Sequence, residues 1–413
     1  MSTTTLHNEK NKTLVPQLRF QEFDGEWELK KLGEIAKIIT GSTPSTTIDE
    51  YYDGEKLFVS PADIQENRYV YTTKTTLTES GFNKGRKIKK GSVLFVCIGS
   101  TIGKVAQTTV ECLTNQQINA LEANKEFQND FIYNLLENNG AKIKMLAGVQ
   151  AVPQINKTDF SNFKYSIPSL PEQQKIASFL SAVDEKIQQL TRKATLLEHY
   201  KKGVMQQLFS GKLRFKDENG KDYPDWEDTF FADTGKILIG LTHTPEYQPT
   251  GRPFLSSKNI SRAYIDYNNI QYISEEKFQS MPESTKPRKG DILFTRVGSN
   301  LGNPKVIEED IEFGIFVSLG VFRVNEKAYN YFMRIWMDSD YFWRQLEQKV
   351  AGGAKYNLNT GWLKEFKLNL PSFPEQQKIA NFLSGIDSKI ESVNQQLAQT
   401  QTFKKGLLQQ MFV

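Results

Sequence analysis

Along residues 171–210, apolar side chains recur at alternating steps of four and three: Ile176, Leu180, Val183, Ile187, Leu190, Ala194 and Leu197. Residues 374–413 repeat the pattern with Ile379, Leu383, Ile386, Ile390, Val393 and Leu397. This spacing is an a/d heptad seam, by which two helices bury a narrow stripe against each other. Pro171 and Pro374 suit a first helical turn, where a missing N–H costs nothing. Glu172 and Glu375 place negative charge at the positive end of the helix dipole. Neither stretch has an internal proline, so each is predicted to be one helix, a rod of roughly 60 Å. The two stretches align without a gap at an offset of 203, with 19 of 40 positions identical. The chain is therefore doubled. A lone seam needs a partner, and the other copy is at hand. The plainer alternative packs each helix on its own globular unit.

Each helix follows a larger unit. In the first, strand-like runs at Leu57–Val59, Tyr69–Tyr71, Ser92–Ile98 and Ile118–Leu121 precede helical spacing over Asp130–Lys144. The second repeats the order. GSVLFVCIGSTIG (Gly91–Gly103) matches GDILFTRVGSNLG (Gly290–Gly302), Thr43-Pro44 matches Thr244-Pro245, and FKYSIPSL matches FKLNLPSF. The predicted class is α+β. A tail over 1–14, expected to be disordered, precedes a mixed α/β unit at 15–170, a helix at 171–210, a second such unit at 211–373 and a helix at 374–413. A pseudo-two-fold axis across the rods would pair them as an antiparallel coiled coil with one unit at each end.

Composition narrows the setting. Mean hydropathy is −0.51 over 413 residues. The apolar run Val93–Ile98 is far too short to span a bilayer, and residues 1–14 lack an apolar signal core. A cytoplasmic protein is expected. Cys97 and Cys112 have no CxxC spacing, and His7, His199 and His243 are scattered, so no metal site is expected. Net charge is +4, yet residues 15–170 hold 18 basic and 18 acidic side chains and residues 211–373 hold 22 of each. Neither unit coats DNA by bulk charge.

The plan resembles the specificity subunit of type I restriction–modification systems. The residues that carry the resemblance are LPEQQKIAxFL from Leu170, FPEQQKIANFL from Phe373, the GDILFTRVGSNLG segment, the Thr40–Ser45 loop TGSTPS and the WxLKKLGEI opening from Trp27. It covers nearly all of the chain beyond residue 14. It implies that each unit is a target-recognition domain reading one half of a split, asymmetric double-stranded DNA site. The helices would set the spacing and dock two methylation subunits and, through them, two restriction subunits. It further implies no cofactor for this chain; the partners would use S-adenosylmethionine, ATP and Mg and flip an adenine from the stack.

Candidate DNA contacts follow from residue type. Lys84, Arg86, Lys87, Lys89 and Lys90 precede Gly91; Lys286, Arg288 and Lys289 precede Gly290. Both clusters suit phosphate contacts, or are charged turns entering a buried strand. Loops that differ between the halves suit base edges: Thr43, Ser45 and Thr46 against His243, Thr244 and Tyr247, and Gln150 and Gln154 against Lys355, Tyr356 and Asn357. Asn115, Gln116 and Gln117 form an amide run, and Arg296 stands where the first half has Cys97; both are read as core-adjacent, with Arg296 aimed at DNA as the alternative.

Catalytic matches are weak. Pro224-Asp225 with Glu275 and Lys277 echoes a nuclease motif, but the first half lacks the Pro-Asp pair. GSTIGK from Gly99 is one residue short of a phosphate loop, and Asn303 stands where its lysine would repeat. No DPPY- or NPPF-like tetrapeptide is present. The reading is a non-catalytic recognition subunit. The alternatives are a coiled-coil adaptor with no DNA role and a free-standing nuclease.

Overall fold

The structure is a computed structural model, which describes residues 14–65, 67–147, 153–261, 264–298, 301–350 and 357–413. The tail expected over 1–14 lies outside them except for Leu14, whose carbonyl accepts the Trp27 N–H at 2.8 Å. One compact unit takes the chain up to Lys193 together with Val393–Val413; the other is Ala194–Ser392. This division cuts both long helices midway, so each unit holds one globular head and half of each helix.

In the first unit a sheet is built from β1 (Ala36–Thr40), β2 (Tyr69–Val70), β3 (Val93–Val96), β4 (Val105–Thr108) and β5 (Ile118–Ala123), in the order β1-β5-β3-β4-β2. β5 runs antiparallel to both its neighbours, so β1 and β3 point the same way. The second unit repeats the order with β6 (Gly235–Ile239), β7 (Ile292–Thr295), β8 (Gly302–Val306) and β9 (Leu319–Val324), arranged β6-β9-β7-β8. β3 and β7 are buried at every position, and near-continuous apolar sequence is what such central strands need. The helix Asn129–Leu146 covers the predicted Asp130–Lys144.

The long helices run Leu170–Phe209 and Phe373–Met411, each unbroken. They pack antiparallel. In the first unit Ile176, Ala177 and Leu180 share a core with Leu407, Leu408, Met411 and Phe412. In the second, Val204, Met205, Leu208 and Phe209 share one with Ile379, Leu383 and Ile386. Val183 and Ile390 lean on these cores half-buried. Leu190 and Val393 are buried, and Ile187 is half-buried. The seam therefore runs further than the residues first counted: each N-terminal half meets the last two turns of the other helix. It also serves two surfaces at once, because Trp27 and Phe131 of the head join the same core as Ile176.

The PEQQ repeat is explained by what it holds. Glu172 is buried, and both of its carboxylate oxygens accept from Arg19, each at 2.8 Å, while Trp27 Nε1 donates at 3.2 Å. In the second unit Glu375 accepts from Arg214 at 3.2 and 2.8 Å and from Trp226 Nε1 at 2.9 Å. Gln173 accepts the Gln128 N–H and donates to the Pro168 carbonyl; Gln376 does the same with Tyr329 and Pro371. Glu172 and Glu375 lie in the first turn of their helices, as the dipole reading expects, and they do more than that. They anchor each head to the start of its helix.

Removing one partner of a buried, bidentate pair leaves the other uncompensated. Glu172→Gln should destabilise the first unit by about 3 kcal/mol, a fall of roughly 6–12 °C in its calorimetric transition. Glu375→Gln should shift the other transition instead.

Candidate nucleic-acid interface

Because β1 and β3 end where β5 begins, three connections meet at one edge of the first sheet. They are the loop after Thr40, the turn after Val96 and the amide run before Ile118. Gly41 N donates to the Ile118 carbonyl at 3.0 Å and Ser42 N to that of Thr114 at 2.8 Å. A Cβ on Gly41 would lie 2.0 Å from the Asn115 carbonyl oxygen, so only glycine lets the loop lie this close. Thr43 Oγ1 donates to Gln116 Oε1 at 2.7 Å. Asn115 and Gln117 bond to each other, and Cys97 N donates to the Gln117 carbonyl. Gln154 bridges to Ile98 beside them. Ser45, Gln116 and Gln154 are exposed along this edge and Thr43 is half-buried; Gln150 lies outside the described residues. Burial pushes the Cys97 thiol up to about 12, so it stays protonated beneath the edge.

The second sheet repeats the edge with other side chains. Gly240 N donates to the Leu319 carbonyl at 3.3 Å, and a Cβ there would meet the Phe316 carbonyl oxygen at 2.2 Å. His243 and Thr244 follow, exposed, with His243 Nε2 lying 3.4 Å from Lys277 Nζ. Asn357, exposed, bridges to Val297; Lys355 and Tyr356 lie outside the described residues. Arg296 is turned inward, 8% exposed. Its guanidinium donates to the Leu358 and Val317 carbonyls at 3.2 and 3.1 Å, and burial lowers its pKa. It fastens the loops of this edge to one another.

The basic segment borders the first edge. Arg86 N donates to Ser42 Oγ at 2.7 Å and Arg86 Nη1 to the Thr40 carbonyl at 2.6 Å. Lys84, Lys87, Lys89 and Lys90 are exposed, with Lys87 over the Phe82 ring and Lys89 beside Glu122. In the second unit Glu283 takes both Lys286, at 3.2 Å, and Arg288, at 3.1 Å; Lys289 is exposed.

The tempting catalytic matches dissolve in three dimensions. Gly99–Gly103 is a turn between antiparallel β3 and β4, with both glycines at positive φ, and no helix begins there to receive a phosphate. Asp225 lies beside Arg214 while Glu275 lies beside Arg252, so the nuclease-like residues serve separate ion pairs. Among the described residues no group of three His, Cys, Asp or Glu could hold a metal ion, and no helix is long and apolar enough to cross a membrane. A roomy cleft of about 1070 Å³ in the first unit shares no residue with the edge; the Arg68, Asp184 and Lys404 charges on its wall are paired with one another.

Comparison with known proteins agrees with this geometry. The family model for the type I restriction modification DNA specificity domain matches twice, at residues 24–199 and 228–401. The MjaVIII specificity subunit of Methanocaldococcus jannaschii is 24% identical, over 97% of this chain and 95% of its own. The EcoBI specificity subunit of Escherichia coli is 24% identical, over 73% of this chain and 68% of its own. In fold, the chain is similar to the crystal structure of a type I S subunit from M. genitalium. The TM-score is 0.63 at 16% identity, covering 97% of this chain and 99% of that one.

The two glycines give a sharp test. Gly41→Ala should cost its unit about 2 kcal/mol by forcing the loop off the Asn115 backbone, with the far-UV helical signal unchanged. Gly240→Ala should do the same to the other unit. A neutral effect on the thermal midpoint would mean the edge is not built as described.

Proposed function

The chain belongs to the type I restriction modification DNA specificity family, and from that premise we propose that it is the non-catalytic, DNA-reading subunit of a type I restriction–modification complex. Each head reads one half of a split, asymmetric target, and the paired helices set the spacing between the halves. The observation that carries this reading is one sheet edge made twice. The backbone frame is the same each time, and the side chains differ: Thr43, Ser45 and Gln154 on one edge, His243, Thr244 and Asn357 on the other. Equal frames with unequal side chains suit two different half-sites. The same reading puts methyl transfer and cleavage on partner subunits that use S-adenosylmethionine, ATP and Mg, within the cytoplasm.

The helices also carry a repeated surface. Tyr200 and Phe403, equivalent across the 203-residue offset, are 53% and 55% exposed. Three residues on, Gly203 and Gly406 have open space where a side chain would stand. Helical glycine costs about 0.5–1 kcal/mol, and among the described residues none packs against either position so as to need it. A partner that packs closely against each helix beside an exposed aromatic ring does, and a surface made twice takes two copies. The reading is therefore two methylation subunits per chain, each bringing a restriction subunit.

The decisive experiment maps methylated bases genome-wide in cells expressing the chain with its methylation subunit. A single bipartite motif is expected, and exchanging residues 15–170 for those of a relative should change one half of it only. Absence of any split motif would favour a protein adaptor; metal-dependent cleavage by the purified chain alone would favour a nuclease. For the docking surface, Gly203→Ala with Gly406→Ala should stabilise the isolated chain by about 0.5–1 kcal/mol per site and weaken capture of the methylation subunit at least tenfold.

A further inference from the structure

Four lysines ring a small cleft in the first unit. Lys37, Lys89, Lys90 and Lys125 line a space of about 450 Å³, with Ser92 and Glu122 among its other walls. All four lysines are exposed, and among the described residues only Lys89 forms an ion pair, with Glu122 at 3.4 Å. Glu122 is itself buried, and its carboxylate also accepts the Lys89 N–H. One carboxylate among four ammonium groups leaves a net positive hollow. The segment that supplies Lys89 and Lys90 is the one Arg86 ties to the Ser42 loop. Four residues of chain span at most about 14 Å, so the hollow lies within a few phosphates of the loop.

The second unit has the same strands and a different charge. Lys37 pairs across the sheet with Glu122, and at the matching place Lys236 pairs with Arg323. Where the first unit has Ser92, the second has Asp291, and Arg323 binds it in a fork at 2.8 and 2.7 Å. Glu326 replaces Lys125, and Glu283 replaces Lys84 and takes up Lys286 and Arg288. Over the aligned positions 84–90 and 283–289 the first unit carries five cations and no acid, the second three cations and one acid.

We propose that the Lys37–Lys89–Lys90–Lys125 cleft is a DNA-phosphate site, and that the first head alone is clamped to the duplex backbone in this way. The inference rests on the DNA-reading function proposed above and adds to it an asymmetry. Phosphate contacts position without reading sequence, and each one gives binding a salt dependence of about 0.9 in log–log slope. The first head grips and reads; the second reads with little grip of its own.

The test uses the chain assembled with its methylation subunits, titrated by fluorescence anisotropy into a target duplex and an unrelated duplex at several salt concentrations. Lys37→Ala, Lys90→Ala and Lys125→Ala together should lower the slope by about 1–2. They should also weaken both duplexes alike, by roughly 10–100-fold at low salt, and leave the methylation motif unchanged. In the second head Glu326→Lys should steepen the slope by about 1, a gain that cannot arise from misfolding. An unchanged slope in both variants overturns the proposal. So does saturable binding of ATP that the triple substitution abolishes, which would make the cleft a free-nucleotide site. A wild-type complex that prefers no duplex sequence would instead defeat the underlying DNA-reading function, whatever the slopes.

Discussion

Two lysines placed where a helix seam should be apolar decide how the helices pair. Continuing the heptad steps beyond Leu197 and Leu397 puts Lys201 and Lys404 at seam positions. Lys404 Nζ lies 2.6 Å from Asp184, and Lys201 Nζ lies 2.6 Å from Asp387. These are the same two positions, exchanged between the copies. The helices are similar enough that a parallel, in-register pair would bury the stripe equally well. It would also set Lys201 against Lys404 and Asp184 against Asp387, like charges on a seam where each is half-buried or buried, an arrangement that costs stability. The antiparallel arrangement satisfies both pairs. Such pairs add little net stability, since desolvation offsets most of the attraction. What a charged residue at a seam position supplies is direction and register.

The same aspartates hold the heads. Arg68 Nη1 donates to Asp184 at 3.1 Å and to Ser181 at 2.7 Å, while Arg334 Nη1 donates to Asp387 at 3.2 Å. Arg68 precedes β2, whereas Arg334 lies within the helix Asn330–Met337. Two unrelated parts of the chain thus reach one equivalent acid. Together with Glu172 and Glu375 this gives each head two fixed points on its helix. They are twelve residues, or about 18 Å, apart. One point would let a head swivel about the helix; two set its orientation.

Much of the architecture was legible because it rests on periodicity. The step pattern and the missing prolines marked both long helices to within a residue or so, and the buried strands showed as unbroken apolar runs such as Val93–Ile98. What escaped was chemistry that depends on distant partners. Glu172 reads as a helix-dipole charge until Arg19 and Trp27, some 150 residues earlier, close on it. Its signal was present in the sequence, where Leu18-Arg19-Phe20 and Trp27 recur as Leu213-Arg214-Phe215 and Trp226, each set ahead of a PEQQ. Lys201 and Lys404 were legible in the same way, as polar breaks in a seam counted two turns too short. The basic clusters show the opposite failure: 84–90 and 286–289 look alike as runs of cations, yet Glu283, three residues ahead of the second run, takes up Lys286 and Arg288.

The sheet edge explains how one frame serves two sets of side chains. Backbone bonds fasten its loops in both units: Gly41 to Ile118 and Ser42 to Thr114 in one, Gly240 to Leu319 and Leu241 to Ile315 in the other, where the Arg296 side chain adds to them. Bonds between main-chain groups ask nothing of the side chains beside them, apart from the glycine that permits the approach. Thr43 and His243 can therefore differ without refolding the loop. A frame held by side chains, as at Glu172 and Glu375, cannot drift in that way, since a change on either partner leaves the other buried and unpaired. Glu172 and Glu375 are accordingly repeated where side chains carry the fold, and Thr43 and His243 diverge where the backbone does; Arg296 and the Arg68 and Arg334 anchors are side-chain ties that each half makes in its own way.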